Sequence, residues 1–332
     1  MNTFEMLKKV CESYGPSGRE AEVRKTIEKL VKPMGYKCRT DALGNLICHK
    51  EGKGARLMFA AHMDSLGMMV TFFEDCGKLR FARVGGLAPC NMVGAPVRFA
   101  NGIKGTINKE STAQFDGLTA DKLFIDIGAE SKEEAMSLVS IGDIAVYDNP
   151  IVLSANGKFA MGSYLDDRAG CVAQLLAMEK AKDSENDLYF VFTVQEEVGL
   201  RGAKTATFAV DPDYMIACDV TRSNDGPKAD NTASCASGDG AAIKVMDTSV
   251  ICHPAVVEKL VELAKAAGIK YCMDVITAGG TDAGAAQLSL DGVPSGGVSI
   301  SQRYIHAPVE VCSVSDVEDC GALMAEFAKA AF

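Results

Sequence analysis

The sequence of 332 residues contains no tryptophan, only four histidines and only 7% aromatic residues. A chain with so few rings is poorly equipped to stack sugars, which counts against a glycoside hydrolase. Its 34 basic and 44 acidic side chains give a net charge of −10, which excludes nucleic acid as the main partner, because phosphate binding requires a basic surface. No segment approaches the roughly 18 apolar residues of a membrane span, so we expect no membrane partner either.

The twelve cysteines lie singly along the chain, without a C-x-x-C pair. Several of them, including Cys171, Cys218 and Cys272, lie inside apolar segments. Scattered thiols of this kind are typical of a reduced protein and not of a disulfide framework. The N-terminal segment also lacks the apolar region of a secretory signal. We therefore predict a cytoplasmic protein with free cysteines.

Apolar runs of strand length alternate with helical patterns at both ends of the chain. Nearly unbroken apolar runs, typical of strands covered on both faces, occupy residues 56–64, 188–197, 214–221 and 296–301. Apolar stripes at helical spacing predict helices over residues 18–35, with Ser17 as N-cap, over 166–181 and over 253–268. This alternation predicts an α/β fold with a mainly parallel central sheet flanked by helices.

Residues 67–156 interrupt this rhythm. They form short strand-like pieces separated by glycine, proline and asparagine, and several pieces alternate polar and apolar residues as half-exposed antiparallel strands do. Their one clear helical pattern covers residues 130–138. We therefore predict a discontinuous catalytic domain, formed by residues 1–66 and 157–332, and a small inserted β-rich, barrel-like domain at 67–156.

Two of the four histidines follow predicted strands. His62 ends the first apolar run, and the alternation of a strand places Asp64 on the same face. A carboxylate this close can hold an imidazole N–H and so orient the ring towards a metal. His306 follows the last of the four runs and also has an acidic residue near it in the sequence. His49 is expected to be solvated near a turn, and His253 to stand at the start of a helix.

Five acids follow the predicted strands or begin the helices beyond them: Asp64, Asp166, Glu196, Glu197 and Asp219. In an open α/β sheet these positions line one crevice, where ligands bind. Five carboxylates would repel one another there unless cations neutralise them. The two histidines favour borderline metals such as zinc over calcium or magnesium. The alternatives are a helix cap for Asp166 and Asp167 and a turn residue for Asp219.

Six motifs of the sequence occur in the order of a known family. They are H-M-D at 62–64, L-D-D-R-A-G at 165–170, Q-E-E-V-G-L-R-G-A at 195–203, C-D-V-T at 218–221, G-G-T-D-A-G at 279–284 and R-Y-I-H-A-P-V-E at 303–310. Together they resemble the tetrahedral aminopeptidases, di-metal exopeptidases that include glutamyl and deblocking aminopeptidases. Some members of that family carry an endoglucanase label. The resemblance spans the chain from about residue 5 to residue 330.

The resemblance implies two divalent metal ions per subunit, about 3.5 Å apart. Asp166 would bridge the two ions. His62 and Asp219 would complete one site, and Glu197 and His306 would complete the other. Zinc is the expected metal, and cobalt or manganese would accept the same ligands.

The resemblance also implies roles for residues that do not bind metal. Glu196 would be the general base, which takes a proton from the attacking water and passes it to the departing amine. Asp64 would orient His62, and the peptide bond between Asp166 and Asp167 would be cis. Residues 279–282 would form either a loop near the substrate or the glycine-rich start of a helix.

The predicted function is that of an aminopeptidase that acts on short peptides and assembles as a homo-oligomer, a dodecamer by family resemblance, through the inserted domain. Another di-metal exopeptidase or deacylase of the same fold remains an open alternative. A glycoside hydrolase of the endoglucanase type also needs paired carboxylates, but it does not need His62, Asp219 and His306 beside them. A non-catalytic peptide-binding protein of the same fold is a further alternative. The presence of all seven residues expected of the catalytic and metal site counts against it.

Overall fold

The computed structural model of the protein describes residues 1–227 and 232–332. Within these ranges, eleven strands form one large sheet and six strands form a closed barrel. Strands and helices are numbered below in chain order. Among the described residues, no helix is both long enough and apolar enough to cross a bilayer.

The large sheet has a parallel centre. Its strands are β1 (Lys37–Thr40), β2 (Leu46–Lys50), β3 (Arg56–His62), β10 (Val152–Leu153), β11 (Phe159–Gly162), β12 (Asp187–Thr193), β13 (Tyr214–Arg222), β14 (Ala241–Met246), β15 (Tyr271–Val275), β16 (Ser295–Arg303) and β17 (Glu310–Ser313). The order is β1-β2-β12-β3-β13-β16-β17-β11-β10, and β14 and β15 branch off beside β16. Strands β12, β3, β13 and β16 are parallel neighbours, whereas β2, β14 and β17 pair with this centre in antiparallel orientation. The predicted parallel sheet is therefore confirmed at its centre.

The barrel lies between β3 and β10 in the chain. Its strands are β4 (Gly67–Phe73), β5 (Leu79–Val84), β6 (Pro96–Arg98), β7 (Lys104–Lys109), β8 (Leu123–Asp126) and β9 (Ile144–Tyr147). They close in the order β4-β5-β8-β7-β6-β9, with antiparallel pairing throughout. The barrel buries a hydrophobic cluster of its own that includes Val97, Ile107 and Ile125. The predicted barrel-like element is thus present. Strand β10, at 152–153, was included in the predicted insert of residues 67–156, but it pairs with β11 of the large sheet.

Helices cover both faces of the large sheet. They are α1 (Thr3–Cys11), α2 (Ala21–Val31), α3 (Pro89–Met92), α4 (Lys132–Leu138), α5 (Leu165–Lys180), α6 (Arg201–Val210), α7 (Pro254–Ala267), α8 (Asp282–Gln287) and α9 (Val314–Lys329), and 3₁₀ turns occupy Lys32–Met34 and Ala120–Lys122. Helices α1, α2, α5, α7 and α9 contribute side chains to the main hydrophobic core. Helices α6 and α8 pack in a second cluster with other side chains of the central strands. Because both faces are covered, the central strands β3 and β12 are almost entirely apolar.

Candidate metal centre

The predicted site residues lie at one edge of the parallel centre. His62 is the last residue of β3, and Asp219 lies in the second half of β13. Glu196 and Glu197 follow β12, and His306 follows β16. Because these four strands run in the same direction, their carboxyl ends meet at a single edge of the sheet. Residues separated by up to 244 positions in the sequence are brought together there.

Strand β12 ends at Thr193, four residues before the end predicted from the apolar run. The amide of Val194 already donates to the side chain of Asn45 (Oδ1, 3.0 Å) instead of to a neighbouring strand. Gln195 then adopts a left-handed backbone conformation, with a φ of 55°. The two glutamates that follow therefore lie outside the strand. Oε2 of Glu196 is 3.9 Å from Nε2 of His62, whereas Oε2 of Glu197 is 3.4 Å from Nε2 of His306.

The carboxylate of Asp64 holds the backbone of these two glutamates in place. It accepts hydrogen bonds from the amides of Glu196 (3.0 Å) and Glu197 (3.3 Å) and from the hydroxyl of Ser17 (2.6 Å). The prediction that Ser17 is the N-cap of α2 is wrong, because Glu20 occupies that position. Asp64 also lies beside His62, but its main-chain oxygen (3.2 Å from Nδ1) is closer to the ring than its carboxylate (3.6 Å).

The carboxylate of Asp166 lies between the two histidines. Its Oδ1 is 3.2 Å from Nε2 of His62, and its Oδ2 is 3.2 Å from Nε2 of His306. Asp219 approaches the first ring (Oδ1 to Nε2, 3.8 Å), and Glu197 approaches the second (Oε2 to Nε2, 3.4 Å). These five side chains form two groups that share Asp166, and within each group the possible ligand atoms lie within 4.8 Å of one another.

Both histidine rings are held by main-chain carbonyl groups on the side away from Asp166. Nδ1 of His62 is 3.2 Å from the carbonyl oxygen of Asp64, and Nδ1 of His306 is 3.1 Å from that of Gly86. A carbonyl can only accept, so in the neutral rings Nδ1 carries the proton and Nε2 presents its lone pair to the cluster. Gly86 belongs to the loop after β5, so the barrel segment contributes to the orientation of His306.

Two buried acids beside the cluster were not among the predicted site residues. Asp167 accepts a hydrogen bond from the amide of His62 (3.2 Å). Glu310 accepts hydrogen bonds from the amides of Asp166 (3.0 Å) and His306 (2.9 Å). Both acids lie within recognised motifs, but an acid that accepts from a distant main-chain amide leaves no local pattern in the sequence.

The start of α5 departs from helical geometry at the shared carboxylate. The peptide bond between Asp166 and Asp167 is cis, as the family resemblance implied. Neither residue is the N-cap, a position that Tyr164 occupies without a side-chain hydrogen bond. The side chain of Asp167 nevertheless accepts from the amide of Gly170 (Oδ1, 3.0 Å), three residues further on, as a capping side chain does. The helix-cap interpretation therefore holds for Asp167 and not for Asp166.

The two remaining histidines lie outside the cluster. His49 is in β2, where its Nε2 is 2.7 Å from a carboxylate oxygen of Asp187 and its ring stacks on that of Tyr189. It is therefore partnered and not simply solvated, as the sequence suggested. His253 is the N-cap residue of α7, as predicted.

Comparison with known proteins identifies the chain. Residues 44–323 match the family described as M42 glutamyl aminopeptidase. The chain belongs to this family. A relative from Acetivibrio thermocellus with an aminopeptidase name is 45% identical over 97% of each chain. The lysyl aminopeptidase of Pyrococcus furiosus is 33% identical over 96% of this chain and 94% of its own. The solved structure of the Pyrococcus horikoshii TET1 peptidase is 34% identical, covers 98% of this chain and 99% of its own, and has a TM-score of 0.88.

Membership of the M42 glutamyl aminopeptidase family makes the chain a metal-dependent peptide hydrolase with aminopeptidase function. The predicted resemblance to the tetrahedral aminopeptidases is thereby confirmed. The same family membership implies the use of divalent metal ions, and it favours a peptidase over the glycoside hydrolase that the paired carboxylates also allowed.

The electrostatics of this M42 site indicate a need for cations. Burial, reinforced by the neighbouring carboxylate of Asp166, raises the pKa of Glu197 to about 8. Burial also raises the pKa of Asp219 to about 7, although the adjacent His62 opposes the shift. Burial disfavours the charge of Asp166 too, but the two histidines hold its pKa below the ordinary value of 3.8. Without added positive charge, burial therefore opposes the ionisation of two of the three carboxylates in the groups.

The residues present fit two metal ions. Two imidazoles and three carboxylates form the donor set that zinc and similar divalent ions prefer. Oε1 of Glu197 is buried and, within the described part of the chain, has no hydrogen-bond partner. Such an orphaned oxygen beside an imidazole is accounted for if it is a ligand, because buried polar atoms otherwise find partners.

A cavity of about 630 Å³ opens above the cluster. Glu196 lines it together with both groups of possible ligands, and Leu200, Val220, Ile276 and Ile305 supply apolar wall. The loop 276–281 forms one side, and Thr281 is also the N-cap of α8. One segment therefore lines the cavity and also begins a helix, so the two interpretations of the glycine-rich motif do not exclude each other.

Proposed function

We propose that the chain is a di-metal aminopeptidase that removes N-terminal residues from short peptides. His62, Asp166 and Asp219 would hold one ion, and Asp166, Glu197 and His306 would hold the other. The observation that carries this proposal is the position of Asp166, whose two oxygens each lie 3.2 Å from a different imidazole nitrogen. We propose zinc as the metal, with cobalt and manganese as substitutes that accept the same ligands.

The chemistry divides between the ions and Glu196. Two divalent ions bound in these groups would polarise the scissile carbonyl and the attacking water. Glu196 lines the cavity, and its Oε2 lies 3.9 Å from Nε2 of His62. We assign it the role of general base, which accepts a proton from the water at Oε2 and returns it to the departing amine. Asp64 supports this role by holding the amide of Glu196.

The adjacent glutamates provide a matched test. Glu196→Gln keeps the size of the side chain but removes the proton acceptor, so kcat should fall by about 10²–10⁴-fold while metal content stays at two ions per chain. Glu197→Gln should instead lower metal content, because it changes a side chain of the second group. Metal analysis beside hydrolysis of aminoacyl-anilides separates the two effects. If Glu196→Gln loses metal and keeps its activity per bound ion, the two roles have been exchanged.

Metal dependence itself is tested by chelation and restoration. A strong chelator should abolish activity, and zinc, cobalt or manganese added back should restore it. The substrate panel should contain both glutamyl and lysyl anilides, because the family description and the Pyrococcus furiosus relative carry these two different names. Full activity in strong chelator, together with no stoichiometric metal in the purified protein, would reject a metallopeptidase.

We further propose that the chain forms a large homo-oligomer through the inserted domain, residues 67–156, while residues 1–66 and 157–332 form the catalytic domain. The Pyrococcus horikoshii TET1 peptidase, described as able to assemble into a tetrahedron or a large octahedral shell, supports this proposal. Enclosure within such an assembly would favour short, unfolded peptides as substrates. Light scattering that gives the mass of a single chain of 35.1 kDa at micromolar concentration would reject the assembly.

A further inference from the structure

Glu310 connects two segments that carry possible ligands of the same ion. It is the first residue of β17 and is only 2% exposed. Its Oε2 accepts from the amide of Asp166 (3.0 Å), and its Oε1 accepts from the amide of His306 (2.9 Å). Each carboxylate oxygen therefore holds the backbone of one member of the second group, which consists of Asp166, Glu197 and His306.

The two segments that Glu310 holds are irregular. Asp166 has a non-helical backbone within α5, with a ψ of 114°. His306 has a left-handed backbone, with a φ of 64°. A non-glycine residue with such a positive φ persists only where surrounding contacts determine it. Glu310 itself is anchored in the sheet, where it pairs with Gly162 of β11. A strand of the sheet thus holds two irregular ligand segments through one side chain.

The first group is supported differently. The amide of His62 donates to Asp167, and Asp219 lies within β13, whose ladder to β16 fixes its backbone. Only Asp166 is common to both groups. Loss of the carboxylate of Glu310 should therefore disturb the second group much more than the first.

We infer that Glu310 is a positioning residue for the second metal ion, and that it determines the affinity of that ion relative to the first. This inference rests on the proposed function, because it presumes that the two groups bind metal. Glu310 does not need to contact the ion. It acts by keeping Asp166 and His306 in the orientation in which Oδ2 and Nε2 converge.

The test is a titration of metal-free protein with zinc ions by calorimetry. Glu310→Gln retains one acceptor oxygen but turns an NH₂ group towards one of the two amides. The second ion should bind about 10–100-fold more weakly, the range found when a partner of a metal ligand is changed. The affinity of the first ion should stay within about 5-fold of that of the unchanged protein, because His62 and Asp219, two of its three possible ligands, keep their own supports.

Asp316→Asn is the matched control. Asp316 is also fully buried, and its carboxylate also accepts two main-chain amides, from Gly238 (2.7 Å) and Gly240 (3.2 Å). It belongs to neither group of possible ligands. The exchange should lower the melting temperature of the metal-free protein without changing the ratio of the two zinc affinities.

Further variants distinguish the outcomes. Glu310→Asp keeps the charge on a side chain too short to reach both amides, and it replaces Glu310→Gln if that protein does not fold. In a His306→Ala background only the first ion should bind, and adding Glu310→Gln should then have little further effect. Unchanged affinities, or equal weakening of both ions, would overturn the inference while leaving the proposed function intact. Binding of fewer than two ions by the unchanged protein would overturn the proposed function itself, and the inference with it.

Discussion

Replacing Asp64 by asparagine should separate the positioning of the two glutamates from the folding of the rest of the chain. Asp64 is fully buried, and its carboxylate receives the amides of Glu196 and Glu197 and the hydroxyl of Ser17. Despite burial, the neighbouring His62 and the hydrogen bonds from Ser17 and the amide of Glu196 hold the pKa of Asp64 below its ordinary value of 3.8. The group is therefore an anion in the folded protein, and each donor around it makes a hydrogen bond to a charged acceptor.

Asparagine preserves the shape of Asp64, but its NH₂ group cannot accept a hydrogen bond. The hydroxyl of Ser17 can rotate and become an acceptor, whereas the amides of Glu196 and Glu197 cannot. In either orientation of the new side chain, one of these amides loses its acceptor. A buried donor without a partner costs about 1–3 kcal/mol, and the remaining bonds lose their ionic partner. We expect the free energy of unfolding to fall by about 2–4 kcal/mol, which lowers the melting temperature of a chain of this length by roughly 3–6 °C.

The catalytic effect should be larger than the stability loss suggests. A displacement of about 1 Å at a reacting group can cost about 10²-fold in rate, so kcat/KM of Asp64→Asn should fall by about that factor. The assay combines thermal denaturation with hydrolysis of an aminoacyl-anilide by metal-loaded protein. Asp316→Asn should show a similar stability loss with little change in kcat/KM. Ser17→Ala removes one donor to the carboxylate but leaves both amides their acceptor, so it should lower stability and change kcat/KM only slightly. A folded, metal-loaded Asp64→Asn protein with unchanged kcat/KM would refute this account of the two glutamates.

Two further predictions concern other close contacts. A Cβ atom on Gly86 would lie 2.9 Å from Nδ1 of His306, so Gly86→Ala should weaken binding of the second zinc ion by about 10–100-fold in a calorimetric titration. Gly226→Ala is the control, because a Cβ there would meet no atom of the described residues within 4 Å. Equal effects of the two changes would contradict the prediction. Lys244 and Asp274 form a fully buried ion pair, with Nζ 2.6 Å from Oδ2. Lys244→Met leaves the buried carboxylate unpaired, so the free energy of unfolding measured with denaturant should fall by about 3–5 kcal/mol. Lys244→Met with Asp274→Leu should recover most of this loss, and a double variant as unstable as the single one would show that the pairing is not the cause.

The adjacent glutamates show where sequence patterns stop being informative. The apolar run from 188 onwards predicted a strand, and β12 confirms it as far as Thr193. Val194 is just as apolar and fully buried, so hydrophobicity alone cannot mark the end of the strand. The strand ends because Asn45, 149 positions away, takes the amide of Val194.

The supporting acids were missed for the same physical reason. Ligand candidates such as His62 and His306 could be recognised because histidines are rare in this chain and follow apolar runs. Asp167 and Glu310 act on main-chain amides, which every residue except proline carries. Nothing in the sequence therefore distinguishes a buried acid that accepts such an amide from one that caps a helix or lies in a turn.

The sequence by itself determined the α/β class, the parallel centre of the sheet, the presence of a β-rich barrel after β3 and the types of side chain at the strand ends. These features depend on the periodicity of apolar residues and on motif order, both of which are local properties of the chain. Only the tertiary structure decided that Asp166 lies between His62 and His306, and that a carbonyl group of the barrel segment, at Gly86, holds one of those rings. These contacts join residues more than 100 positions apart, and they exist only because the parallel strands and the barrel pack in one particular arrangement.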